Sequence, residues 1–477
     1  MTTAIQHLDQ SLAIRPHTSI TQTERQRKST DGWMESLFSG IMVPFPNHTG
    51  NLVQERKISM SFERIGIRPA QILLPAPGVR PETWACIACD QYTSEPAYWE
   101  KAFAAAGDSP SALKLILPEC SLKDSEKLIP GIHRTMAEYL EQGLLLPAVD
   151  PGFILCERTI ASGSRLGLVC AVDLEQYSFE KGSLPLVRPT EQTIASRLPP
   201  RLVIRRGAPV ELTHIMILID DPDRTVLEPL QAKKATFRKL YDFDLMMNGG
   251  HLAGWALDTP EVLEQVDRSL NALMDTRGEH PLLLAVGDGN HSLATAKAYW
   301  NEIREGLTAE ERENHPARFA LCEIVNIHDN ALLFEPIHRI VTGTGREALM
   351  ADWREYAAER GMSLQAAGEG HRFTVVAADG EETVVVASPE GAIPCETVQK
   401  FLDDFLSRHP EAEIDFIHGE DSLRTLAGKP GTVGLLLPEI DKHSFFADVE
   451  RLGVLPRKTF SMGEADEKRF YMEAKRI

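Results

Sequence analysis

The sequence predicts a mixed α/β (α+β) protein: a mixed-sheet core followed by a smaller C-terminal α/β lobe. Short apolar runs of strand length alternate along the chain with longer segments whose apolar residues recur at helical spacing. Beyond residue 340, an Asp379-Gly380 pair between two alternating apolar runs marks a β-hairpin. The chain has 477 residues, 43% hydrophobic and 25% charged, which is enough to bury a large core and ordinary for a globular protein.

In order, residues 1–58 are rich in Thr, Gln, Ser and Arg and nearly without periodicity, as expected of a disordered or non-native N-terminal extension. Gln54-Glu-Arg-Lys57 can be encoded by purine-rich codons resembling a ribosome-binding site, so Met60 is the expected natural start. Residues 59–340 are expected to form the main domain and 341–477 the smaller lobe, whose basic C-terminal segment docks back. Strands are predicted at 71–74, 168–172, 215–219, 282–286 and 319–327. Helices are predicted at 98–106, 126–142, 224–240, 260–275 and from 293 onward. In the lobe, helices 346–359, 396–407 and 443–452 alternate with strands 372–377, 383–387 and 432–437.

The formal net charge of -19 argues against general affinity for nucleic acid or anionic membrane, since both reward basic surfaces. No apolar run reaches the length of a membrane span. The seven cysteines are odd in number and scattered through apolar runs, which suits reduced thiols in a cytoplasmic protein. Cys86 and Cys89 have metal-pair spacing but no second pair accompanies them, and a structural role is expected. Asp90-Gln-Tyr92 follows an apolar run, where polar groups would face a cleft.

The chemistry concentrates at Pro281–Arg304. An apolar strand ends in Gly287-Asp288-Gly289, and Asn290 and Ser292, both good N-caps, open a helix. A helix N-terminus is a ready anion site, and Asp288 and His291 are side chains that move protons. Arg188, Arg197, Arg201, Arg205 and Arg206 cluster in an otherwise acidic chain, with Glu191 among them. They either converge on an anion or form a solvated, internally paired helix face. Glu211 and His214 precede the 215–219 strand, which ends in acids beginning at Asp220. These acids either hold a hard cation such as Mg²⁺ or make an ordinary acidic turn. His338-Arg339 at an apolar border and Arg457-Lys458 near the C-terminus are further candidates for phosphate contact.

At Arg188-Pro-Thr-Glu191, Gly287-Asp-Gly-Asn-His-Ser292, Glu335-Pro-Ile-His-Arg339 and Pro456-Arg-Lys-Thr459 the chain resembles a bacterial and archaeal family. That family is labelled domain of unknown function one thousand and fifteen, and the resemblance covers roughly residues 60–477. More loosely, the Asp-Gly-X-His-Arg type of motif after a strand resembles the ParB/sulfiredoxin-like superfamily, which includes free-serine kinases. This resemblance implies ParB/sulfiredoxin-like elements in the core and a nucleotide, ATP or ADP, with Mg²⁺. Asp288 and His291 take the motif positions, and Gly287, Gly289, Asn290 and Ser292 surround the phosphates. Ser292 stands where arginine is usual, a place for an arginine from 188–206 or Arg339 to fill. Glu191 and Glu211 are the candidates for the superfamily's catalytic glutamate. The implied function is a kinase acting on the hydroxyl of a free amino acid, L-serine to O-phosphoserine. The alternative is a non-catalytic ParB-like nucleotide- or DNA-binding regulatory protein.

Overall fold

A twelve-stranded mixed sheet organises the chain. Along its main path run Val187–Pro189, Leu284–Asp288, Met216–Ile219, Phe319–Asn326, Gly163–Asp173, Leu145–Ile160, Ala70–Pro75, Ala474–Arg476 and Val210–Leu212. The computed structural model describes residues 60–477 apart from Thr213 and Arg457. The expectations for residues 1–58 and for Arg457 therefore lie outside the described residues.

The long hairpin Leu145–Ile160 with Gly163–Asp173 forms the middle of this sheet. Its second strand is covered on both faces, and its side chains alternate between two cores. Leu168, Cys170 and Val172 join Ile217, Leu284, Val286 and Trp300. Val169 and Ala171 turn to the other side, toward Trp84, Trp99 and Tyr471, as the two-residue period of a strand requires. The sheet is strongly curled. Val210–Leu212 ends the path, yet residues 213–215 alone separate it from Met216–Ile219, the third strand from the opposite end. Glu211 reaches across the curl and accepts from the Leu321 N–H at 2.8 Å.

Inside the curl lies a buried ionic group. Arg469 Nη2 donates to Glu473 Oε2 at 2.8 Å and Nε to Glu323 Oε2 at 2.5 Å. It ties the C-terminal segment to the central strands, and removing one partner would strand a charge in low dielectric.

Helix Asn290–Arg304 lies on the first core through Leu293, Ala296 and Trp300, the three- and four-residue steps of an apolar stripe. A seven-stranded sheet follows. The strand Phe334–Thr342 belongs to it, pairing near its start with Phe460–Met462 and further on with Glu413–His418 and Thr432–Leu436. Helices Arg346–Glu359 and Pro394–Arg408 cover this sheet, with Trp353 stacked on Phe401 at 4.2 Å between ring centroids.

The mixed α/β class follows the sequence pattern, and most predicted elements fall within a few residues of the observed ones. Residues 224–240 differ. They form a short helix, Glu228–Gln231, and then enter the strand Lys239–Asp244, which pairs with His251–Leu257. Tyr241 and Phe243, just past the predicted helix, bury on alternate positions there, so the strand edge claims the helix's last residues.

Candidate functional site

The two glycines of the Gly287-Asp288-Gly289 turn are needed for different reasons. A Cβ at Gly287 would lie 2.7 Å from Met462 Cε and 2.8 Å from Leu218 Cγ, so the glycine permits close packing under the Phe460–Met462 strand. Gly289 has φ +79° and would bring a Cβ to 3.1 Å from Ile215 Cα. It is the N-cap of helix Asn290–Arg304, and no side chain caps that helix. The two expected caps serve elsewhere. Asn290 Oδ1 accepts from Thr190 N–H at 3.2 Å, and Ser292 Oγ lies 3.4 Å from His214 Nε2. The first-turn amides are left in the state in which helix N-termini receive anions.

Contacts link the four motif segments in a chain that ends at this turn. Thr190 Oγ1 donates to the Val286 carbonyl at 2.6 Å, and its own carbonyl accepts from Leu455 N–H at 2.8 Å. Glu191 Oε1 accepts from Lys458 N–H at 3.2 Å. From beneath, Arg339 Nη1 donates to the Lys458 carbonyl at 2.9 Å.

At the centre, Asp288 Oδ1 accepts from Gly289 N–H at 2.8 Å, and Oδ2 lies 3.4 Å from Lys468 Nζ. Lys468 Nζ also donates to Ser461 Oγ at 3.1 Å. Burial pushes the Asp288 carboxyl up. Lys468, His214 and the Gly289 N–H outweigh it and hold the group below the usual carboxylate range. Glu191 goes the other way. Burial raises it, the Asp288 charge adds to that, and Lys458 and Lys468 offset only part.

On the helix side, His291 Nε2 accepts from Ile194 N–H at 3.2 Å, which places the proton of a neutral ring on Nδ1. Burial, then Arg197 and Arg201, push this histidine down to about 4 against a weaker pull from Asp90, so it is neutral at pH 7. His214 is buried, with Nδ1 2.7 Å from Tyr471 Oη and Nε2 3.6 Å from Asp90 Oδ2. A cavity of about 150 Å³ opens beside Ser292, His214 and Tyr471.

The predicted arginines divide. Arg197 and Arg201 lie close enough to His291 to act on its charge, and Arg201 pairs with Glu119. Arg205 pairs with Glu211 at 2.5 Å, and Lys475 approaches the same carboxylate at 3.4 Å. Glu211 is thereby held ionised as a brace across the curl and is engaged there rather than at the turn. Arg188 is buried and donates to the carbonyls of Pro185 and His280 at 2.9 and 2.8 Å, locking its strand to the segment before Leu284. Arg339 is buried and directs its donors to the Ile337 and Lys458 carbonyls, Gln399 and Cys395. His338 is buried too, with Nδ1 accepting from Leu437 N–H at 3.1 Å.

Asp220 lies past the far end of Met216–Ile219, a strand whose start pairs with Asp288. Its carboxylate is held by Arg277 at 2.9 Å and His328 at 2.7 Å, so it is an acidic strand end braced across the sheet. Among the described residues, no group of three or more His, Cys, Asp or Glu is placed to hold a metal. The thiol of Cys86 is pushed well up and that of Cys89 up to about 12, both chiefly by burial.

The geometry adds Lys468 and Tyr471 to the candidates and joins to them His214 and Asp90, the latter on the cleft side the sequence implies. Nothing local marks Lys468 and His214 as partners of Asp288, 180 and 74 residues away.

The chain belongs to the family described as Protein of unknown function (DUF1015), whose model matches residues 73–405. No curated protein matches the sequence. Among solved structures, a free serine kinase variant in complex with AMP is 12% identical with a TM-score of 0.36, over 63% of this chain and 90% of that one. The same values hold for the complex with ADP. SbnI with C-terminal truncation from Staphylococcus aureus is 9% identical with a TM-score of 0.35, over 64% and 85%. Likeness at this level assigns no chemistry to the site.

Proposed function

We propose that the protein is a nucleotide-dependent phosphotransferase that acts on the hydroxyl of a small molecule. The observation that carries this reading is a pair of neighbouring carboxyls with opposite perturbations, Asp288 held low and Glu191 held high, at an uncapped helix N-terminus with Lys458 and Lys468 beside them. Environments that drive two acids apart in this way separate an ionised group from a proton-transfer group.

Phosphoryl transfer asks mainly for positioning and for charge stabilisation on the equatorial oxygens. In this reading the amides of Asn290, His291 and Ser292, with Lys458 and Lys468, receive the phosphates. Neutral His291 donates through Nδ1. Asp288, a weak base when held low, orients the acceptor and fixes Lys468. Glu191 takes the hydroxyl proton as the new O–P bond forms and the bond to the departing nucleotide oxygen breaks. Mg²⁺ would be carried here by the phosphates, with the ionised Asp288 carboxylate beside them. When bound it neutralises charge between donor phosphates.

The test is incubation of the purified protein with ATP or ADP, Mg²⁺ and a pool of hydroxyl-bearing metabolites including L-serine, read by mass spectrometry. A phosphorylated product is expected, and Glu191→Gln is expected to slow its formation about 10²–10⁴-fold with nucleotide affinity retained. Absence of nucleotide binding by the unaltered protein would remove the proposal.

A further inference from the structure

The cavity beside Ser292 has a chemical character that free serine does not match. Leu115, Leu117, Met136, Ile204, Ala208 and Leu212 are among the residues that line it. The arginines at its border are engaged by carboxylates, Arg201 by Glu119 and Arg205 by Glu211. Its volume is about 150 Å³, and apolar cavities of about this size take up a benzene ring.

We infer that this cavity holds the apolar body of the phosphoryl acceptor, making the substrate a hydroxyl compound with an aromatic or branched aliphatic group of about six carbons. The inference rests on the phosphotransfer reading for the role of the hydroxyl. The choice of acceptor over nucleobase follows from chemical distance. A nucleobase is separated from the transferred phosphoryl group by the ribose and the remaining phosphates, whereas an acceptor's body begins one or two bonds from its hydroxyl. The cavity begins at Ser292, in the first turn of the helix that follows Asp288, and at His214, 3.4 Å from Ser292 Oγ and close enough to lower the Asp288 carboxyl. It therefore reaches the first turn of the helix that the Asp288 turn opens. Filling such a lining with carbon removes apolar surface from water, methylene by methylene. Serine has one methylene to offer.

The experiment uses the full chain and two variants that narrow the cavity without touching the turn, Ala208→Leu and Ala208→Trp, each checked for an unchanged melting midpoint. Calorimetric titration with 2-phenylethanol and with L-serine needs no turnover. Binding of 2-phenylethanol to the unaltered protein, weakened about tenfold or more by the variants with nucleotide affinity unchanged, is the expected result. A loss of nucleotide affinity instead would place the base in the cavity and overturn the inference. So would equal 2-phenylethanol binding in all three proteins, or tighter binding of L-serine than of 2-phenylethanol. If 2-phenylethanol binds as expected but no hydroxyl compound is ever phosphorylated, the phosphotransfer reading falls while the apolar subsite stands.

Discussion

Replacing Lys468 by Met tests the electrostatic centre of the site. Lys468 Nζ lies 3.4 Å from Asp288 Oδ2, and the two side chains are 11% and 24% exposed. At an effective dielectric near 20 that separation corresponds to about 5 kcal/mol of attraction. Partial exposure and the hydrogen bond from Gly289 leave about 2–3 kcal/mol as the expected loss of stability at pH 8. The pH dependence gives the sharper signal. In the unaltered protein the Asp288 pKa is depressed, so its contribution is present above the unfolded-state value and fades only as pH falls through the folded one. Without Lys468, burial is the dominant influence and the folded pKa rises above the unfolded one. The variant's deficit is then greatest when Asp288 must be charged and shrinks as pH falls through the raised value. Urea midpoints at pH 8 and pH 5 for Lys468→Met, Asp288→Asn and the double variant are the assay. The deficit of Lys468→Met should be smaller at pH 5, and the double variant should be more stable than the sum of the singles by about 1 kcal/mol or more. A pH-independent deficit with strictly additive singles would refute the reasoning.

Three further outcomes are expected. Asp288→Asn keeps the shape of the turn and removes its charge, so turnover should be lost with nucleotide binding retained, as measured by product formation and titration calorimetry. Gly289→Ala forces a side chain into φ +79° against Ile215 and should lower stability by about 1–2 kcal/mol, read from the thermal midpoint. Arg469→Met removes the cation from buried Glu473 and leaves Glu323 with Arg165 at 4.0 Å, and denaturant titration should show a cost of about 3–5 kcal/mol.

The turn itself was legible in the sequence because its signals are local: an apolar run, two glycines around an acid, and a helical period beginning at Leu293. The four motif segments were legible as separate strings, but their convergence was not. The arginines show why. Arg188, Arg201, Arg205 and Arg339 look alike as residues, yet Arg188 and Arg339 became buried struts while Arg201 and Arg205 found carboxylates. Their far partners, His280 for Arg188, Lys458 for Arg339 and Glu119 for Arg201, lie tens of residues or more away in the sequence. The predicted helix at 224–240 failed for a related reason. Its last residues were drawn into the strand Lys239–Asp244, where Tyr241 and Phe243 just beyond it pair with His251–Leu257, and that pairing is stronger than a weak local preference.

By itself, then, the sequence determined the α/β class, most of the elements and the strand–glycine–helix turn at Asp288. Each of these depends on side chains a few positions apart, whose spacing sets local backbone preference. The tertiary structure alone decided that Lys468 neutralises Asp288, that Glu191 stands beside it with a raised pKa, and that an apolar cavity opens at Ser292. Ion pairing and burial are set by separation in space, and curling the sheet brings together groups that the chain keeps tens to hundreds of residues apart.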